Sequence, residues 1–248
     1  LDTLIKVAND PHLAAFDRLI PLLEKAFQNA GSDQDRQLVS AYNTLTGWDQ
    51  SYGATSIATS LAILWGEKIL NLAFQQTPEE FRKNTLFDAW IADYVSDEQM
   101  ITALKESMAA LERDFGNWQT PWGLINRYQR LSSDIDPVFD DLRPSLPIGF
   151  VSSRWGSIAA SESSTYEGSK RRYGTHGNSF VAVVSFGKKL RAKAIVTGGQ
   201  SGHPRSPHFD DQAKAFCNQE FREVYFYRPE VEAQAAETYH PGAKRPIY

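Results

Sequence analysis

Apolar residues along the first 130 or so positions recur at helical spacing. Leu13, Phe16, Ile20, Leu23 and Phe27 follow one another at intervals of three and four, and the run stops at Gly31. Asp10-Pro11 ahead of it predicts an N-cap followed by Pro at the first helical position, where a missing N–H costs nothing. Ser32 is expected to open a second helix with Leu38, Tyr42 and Leu45 on one face. Thr55 opens a third, carrying Ile57, Leu61, Leu64, Ile69 and Leu72. Thr77-Pro78-Glu79-Glu80 and Ser96-Asp97-Glu98-Gln99 both read as capping boxes. The second of these leads an amphipathic stretch of Met100, Leu104, Met108, Leu111 and Phe115 that ends at Gly116. Thr120-Pro121 predicts a sixth helix running through Tyr128.

The pattern changes near Leu131. Residues 132–178 are rich in Ser, Gly, Pro and Asp and read as irregular connection. Ser179–Phe186 and Leu190–Val196 are strand-like runs on either side of Gly187-Lys188-Lys189, which predicts an antiparallel hairpin. Gly198–Gly202 then reads as a loop, Ser206-Pro207 as the start of a helix carrying Ala213 and Phe216, and Glu223–Tyr227 as a further strand. Arg228-Pro229 starts a last short helix. Helices first and strands afterwards make an α+β pattern with three regions: helical 1–131, connecting 132–178, and strand-bearing 179–248.

Composition sharpens this picture in a few places. With 248 residues, 42% hydrophobic and 23% charged, the chain can build a real core. No uninterrupted apolar run reaches the roughly 18 residues of a membrane span, so no membrane association is expected. The start carries neither a basic region nor a small-residue cleavage site, and a chain beginning at Leu1 reads as a piece of something longer. One cysteine, Cys217, excludes an internal disulfide framework. Residues 1–124 hold 9 Lys+Arg against 17 Asp+Glu, and the remainder holds 17 against 13. The longest basic run is only Lys170-Arg171-Arg172, so no nucleic-acid partner is expected.

The chemistry-bearing residues do not by themselves name a reaction. Ser201 in Gly199-Gln200-Ser201-Gly202 follows a strand but lacks the glycine two positions on that a nucleophile elbow needs, and Ser179 precedes a strand. His203, His208, Asp210 and Asp211 could suggest a metal site, yet the prolines among them and the acidic pair at a helix start read as a structured loop. No metal ligand set is expected. His176, just before the best strand, is the one candidate substrate-binding residue. Arg130, Arg143, Arg154, Arg171 and Arg172 could bind a carboxylate but read as surface or ion-pair residues, and the six tryptophans read as core.

The stretch from Tyr173 through Gly187, followed by Val196-Thr-Gly-Gly-Gln-Ser-Gly-His-Pro-Arg-Ser-Pro-His-Phe-Asp-Asp-Gln212, resembles the C-terminal part of the β subunit in the penicillin acylase family. Arg222–Tyr227, Thr238–Gly242, Leu45-Thr-Gly-Trp-Asp49 and Phe115–Trp122 fit the same likeness. The family comprises N-terminal-nucleophile hydrolases, penicillin acylases and acyl-homoserine-lactone acylases. The resemblance implies that the strands of residues 179–248 belong to an αββα core. It implies a Ser, freed by self-cleavage, that attacks an amide carbonyl with its own α-amino group as base. A carboxylic acid and an amine leave. Leu1 cannot be that nucleophile, and the family's oxyanion and calcium-binding residues correspond to polypeptide upstream. The resemblance therefore assigns this chain no catalytic residue, no metal and no cofactor of its own. It implies partners in the α subunit and the N-terminal part of the β subunit, a small-molecule amide substrate, an exported, periplasmic parent, and inactivity of this chain alone. Phe81, Phe87 and Trp90 are candidates for the amine side of the pocket. The competing expectation is an autonomous helical binding module without catalytic activity.

Overall fold

In the computed structural model, residues 1–31, 35–78, 87–134, 136–240 and 242 are described. Helices α1 (Asp2–Ala8), α2 (Phe16–Asn29), α3 (Arg36–Thr46), α4 (Ile57–Gln76), α5 (Phe87–Tyr94), α6 (Asp97–Phe115) and α7 (Trp122–Ile125) come first. Strands β1 (Asn126–Tyr128), β2 (Leu146–Pro147), β3 (Ser161–Thr165), β4 (Arg172–Gly177), β5 (Phe180–Phe186) and β6 (Leu190–Val196) follow. Helix α8 (Ala213–Cys217), strand β7 (Arg222–Val224) and helix α9 (Arg228–Gln234) complete the chain. The molecule is thus a mixed helix-and-sheet protein, with helices preceding strands as the α+β reading expects.

Helix ends follow their local chemistry. Ser96 Oγ accepts the Gln99 N–H while the Gln99 side chain accepts the Ser96 N–H, so the expected capping box is present. Gly116 closes the same helix at φ 82°, a left-handed conformation that a Cβ would strain. Asp35 caps α3 and Ser56 caps α4 through their side-chain oxygens. Expected starts at Ser32 and at the 77–80 box fall on or beside Ser32, Glu79 and Glu80, which lie outside the described residues, as does Phe81. Thr77 itself ends α4, with Oγ1 donating to the Ala73 carbonyl.

Four expectations are corrected. Asp10-Pro11 does not begin a helix: Asp10 Oδ1 accepts the His12 N–H, the Pro11 carbonyl accepts from Tyr52 N, and α2 starts only at Phe16. The sixth helix stops at Ile125. Asn126 becomes strand because its backbone pairs with Arg172 and its Nδ2 donates to the Ile148 and Phe150 carbonyls. Residues 132–178 are not irregular connection throughout. They hold β2, a 3₁₀ turn at Ser153–Trp155 and the antiparallel β3–β4 hairpin, whose strands are polar and so lack an apolar alternation. Ser206-Pro207 opens a turn, and the helix carrying Ala213 and Phe216 begins at Ala213.

Two sheets result. One has the order β2-β1-β4-β3, with β1 parallel to β4 and the other pairings antiparallel. The other is the antiparallel β5-β6-β7, whose Phe186↔Leu190 register leaves the expected three-residue turn. Helix α4 is long and apolar enough by length and composition to cross a membrane, although Glu67 and Lys68 interrupt its apolar run; here it is the central core helix, with Leu61, Trp65, Ile69 and Ala73 fully buried. Trp155 ties this helix layer to the strands. It stacks on Phe16 at 5.1 Å, and its ring lies so close to Gly66 that a Cβ there would meet Cη2 at 2.6 Å. Trp48, Trp65, Trp118, Trp122 and Trp155 are all core or packed against it, as expected for tryptophans at helical spacing.

Candidate functional site

A cleft of about 210 Å³ opens where the two sheets meet, and His176 stands on its rim. Asn126, Tyr128 and Gln129 of the β1 segment form one side, and Gly174–Ser179 the other. Ile148 and Phe216 contribute the apolar surface. The site is built around two asparagines that periodicity did not single out. Asn178 joins the sheets: its Oδ1 accepts the Ala160 N–H, its backbone N–H donates to the Ala160 carbonyl, and its carbonyl accepts from Thr197 Oγ1. Asn126, fully buried, donates through Nδ2 to two carbonyls, while its Oδ1 has no hydrogen-bond partner.

The neighbouring cation is structural. Arg127 donates to Gly123 O, to Ser145 Oγ and to the Ser145 carbonyl. Burial pulls its pKa below the usual arginine value, with the nearby Arg171 charge acting in the same sense. Burial likewise raises the Tyr128 hydroxyl to about 12, so this ring enters the cleft wall as a neutral phenol.

His176 faces Glu162 across the β3–β4 hairpin at 3.1 Å. The other Glu162 oxygen accepts from Ser152 Oγ at 2.9 Å. The carboxylate therefore sits between serine and histidine. A hydrolytic triad needs the histidine in the middle to take the hydroxyl proton, and this order cannot supply it.

The Gly198–Gln212 loop is tightly organised. Gly198 O accepts from Gln212 N, Ser201 N donates to His208 O, and Arg130 both donates to Phe209 O and lies over the Phe209 ring at 4.0 Å. Gly199 is required by space: a Cβ there would lie 2.2 Å from His208 O. Ser201 Oγ accepts the His203 N–H. His203 Nδ1 is taken by the Arg205 N–H, and His208 Nδ1 pairs with Asp211 at 2.9 Å. Among the described residues no group of three or more His, Cys, Asp or Glu is placed to hold a metal ion. The arginines, expected as surface or ion-pair residues, are engaged separately. Arg172 pairs with Glu67, Arg171 bonds the Asp141 carbonyl, and Arg130 serves the loop.

A second, more polar cavity of about 280 Å³ lies between α4 and the β3–β4 hairpin. Glu67, Asn71, Arg154, Glu162 and Arg172 line it, and its two central charges, Glu67 and Arg172, neutralise one another.

A family model described as penicillin amidase matches residues 1–233. Among solved structures, the chain is similar to the thermostable penicillin G acylase from Alcaligenes faecalis in its orthorhombic form. Identity is 17%, the TM-score is 0.45, and the match covers 96% of this chain but 48% of that one. The chain therefore spans about half the length of that relative.

Proposed function

The chain belongs to the penicillin amidase family, and from that premise we propose that it is the C-terminal part of an amide-hydrolysing acylase whose reacting groups come from polypeptide preceding it. The observation that carries this reading is the family match across residues 1–233, which takes in both the helices and the Gly198–Gln212 loop. It agrees with the chemistry beside the β3–β4 hairpin, where Ser152, Glu162 and His176 stand in an order unfit for a hydrolytic triad.

In the parent enzyme a Ser exposed by self-cleavage would attack the amide carbonyl, its own α-amino group accepting the proton. Backbone and Asn donors of an oxyanion hole would hold the tetrahedral intermediate. The present residues would supply the supporting frame, with the C-terminal strands forming part of an αββα core. By itself this chain would be inert. The calcium common in the family would be held by polypeptide upstream of this chain. The substrate would be a penicillin-type or acyl-homoserine-lactone amide, met in the periplasm.

The test is amide hydrolysis by the full-length precursor and by this chain, each given a phenylacetyl amide and a long-chain acyl-homoserine lactone. Turnover by the precursor alone, with a new Ser N-terminus found by mass spectrometry, is the expected result. Turnover by the 248-residue chain would overturn the proposal.

A further inference from the structure

The polar cavity between α4 and the β3–β4 hairpin is lined by four charged side chains, and only two of them cancel. The Arg172 guanidinium gives its donors to Glu67 and to the Ser163 carbonyl, so that pair is spent on itself. Arg154 and Glu162 remain. Ser152, the N-cap of the 3₁₀ turn, stands between them: its hydroxyl donates to Glu162 Oε1 at 2.9 Å and accepts from Arg154 Nε at 3.3 Å. One shared hydroxyl thus holds opposite charges close, yet no ion pair joins them. Apart from Ser152, the Arg154 guanidinium has no hydrogen-bonding or charged partner among the described residues. His176 lies 3.1 Å from the other Glu162 oxygen, and an uncharged imidazole there leaves the carboxylate's charge intact.

This arrangement selects ligands by charge. A lone anion drawn to Arg154 would meet Glu162, and a lone cation drawn to Glu162 would meet Arg154; like-charge contacts of that kind oppose binding. A ligand carrying both a carboxylate and an ammonium satisfies the two groups at once. Because a single hydroxyl spans the gap, the ligand's own charges must also be close, as they are on the α-carbon of an amino acid. Asn71 and Ser164 line the cavity with side chains that have no hydrogen-bond partner among the described residues, and can serve the remaining carboxylate lone pairs. Ile63, Trp122, Val151 and Trp155 supply an apolar wall for a side chain.

We propose that this cavity binds a free α-amino acid with an apolar side chain, its carboxylate on Arg154 and its ammonium on Glu162. Neither residue has a part in the proposed amide hydrolysis, so the inference does not rest on that reading.

The test is equilibrium dialysis of the full-length parent at about pH 8, where an imidazole is uncharged, against leucine, 4-methylpentanoate and 3-methylbutylamine. The two analogues keep the leucine side chain and lack the ammonium and the carboxylate in turn. Leucine should bind about tenfold or more tightly than either. Arg154→Gln and Glu162→Gln should each weaken leucine by a similar factor, and Arg154→Lys should keep part of the affinity. Arg154 is exposed, so its variants should melt with the wild type. No leucine binding by about 10 mM, 4-methylpentanoate binding as well as leucine, or affinity unmoved by both Gln variants would each overturn the proposal. Amide turnover is followed on the same samples and should be unchanged in Arg154→Gln. A parallel loss of turnover and leucine affinity would assign Arg154 to the hydrolytic site and overturn the proposal too. A parent that binds leucine as expected but shows no turnover refutes the acylase reading alone.

Discussion

The Arg172 guanidinium and the Glu67 carboxylate meet fork to fork across the joint between β4 and α4, with Nη1 2.8 Å from Oε2 and Nη2 2.7 Å from Oε1. Arg172 also donates to the Ser163 carbonyl, and its side chain is largely withdrawn from water. One guanidinium thus binds the helical layer, the β3–β4 hairpin and its own strand. Removing it leaves Glu67 facing a half-buried cavity without its partner. We expect Arg172→Ala to lower the unfolding free energy by about 3 kcal/mol. Arg172→Lys should recover only part, since an ammonium cannot reproduce the planar fork. Urea denaturation measures both, and a loss as small as that of an exposed pair would contradict this role.

Gly199 and Gly202 sit three positions apart in one loop and should respond very unequally to the same change. A methyl at Gly199 collides with His208 O and Asp211 Oδ1, whereas at Gly202 it meets nothing within 4 Å. Gly199→Ala should cost about 3 kcal/mol by overpacking. Gly202→Ala should change stability by less than about 0.5 kcal/mol. Thermal unfolding of the two variants decides the matter.

Asn126→Asp offers a signed pH test. It replaces the donor to the Ile148 and Phe150 carbonyls with a group that, once ionised, can only accept. The new carboxyl is held neutral in the fold, so its folded pKa lies above its unfolded value. Stability of the variant relative to wild type is then highest below the unfolded pKa and falls as pH rises through about 4 and beyond. A flat difference in melting temperature between acid and neutral pH would refute the buried assignment.

Alkaline pH should weaken the fold through a named set of groups. Burial raises Tyr52, Tyr128, Tyr173 and Cys217 each to about 12, from ordinary values of 10.0 for tyrosine and 9.0 for cysteine. All four are neutral when protonated, and folding favours that form. The stability they contribute is complete below their unfolded pKa values and is lost as pH rises from about 9 toward 12. Tyrosinate absorbance that lags behind free tyrosine, and a Cys217 thiol that labels slowly until the chain unfolds, are the expected readouts.

How far the sequence disclosed this structure depended on where the apolar residues fell. Met100, Leu104, Met108 and Leu111 bury one helix face, and the capping box at Ser96 sets its start, so that element was legible in full. The β5–β6 hairpin was legible from its continuous apolar run. β3 and β4 were not, because in Ser161–Thr165 and Arg172–Gly177 only Tyr173 is buried and the strands are held by backbone pairing and polar contacts. β1 hid behind a helix start for a related reason: what ends α7 is a partner 46 or so residues away. His176, which stands on the cleft rim, was singled out by its place before a strand. Asn126 and Asn178 were missed, since their importance lies in the carbonyls and N–H groups they satisfy and no periodicity reports that. The polar Asn-Ser step leading into the strongest strand was the one available hint of Asn178.

The parallel pairing of β1 with β4 also sets an order of events during synthesis. Asn126 emerges from the ribosome before Arg172 exists, and at typical translation rates the interval is roughly 2 to 9 seconds. Helices α2, α4 and α6 are already complete by then and can collapse around Leu61, Trp65 and Leu104 through contacts among themselves. β1 must wait at the margin of that nascent helical body with only β2 arriving early to shield it. Asn126, at the end of α7, thus stands where the helices completed early meet a strand partner that is synthesised later.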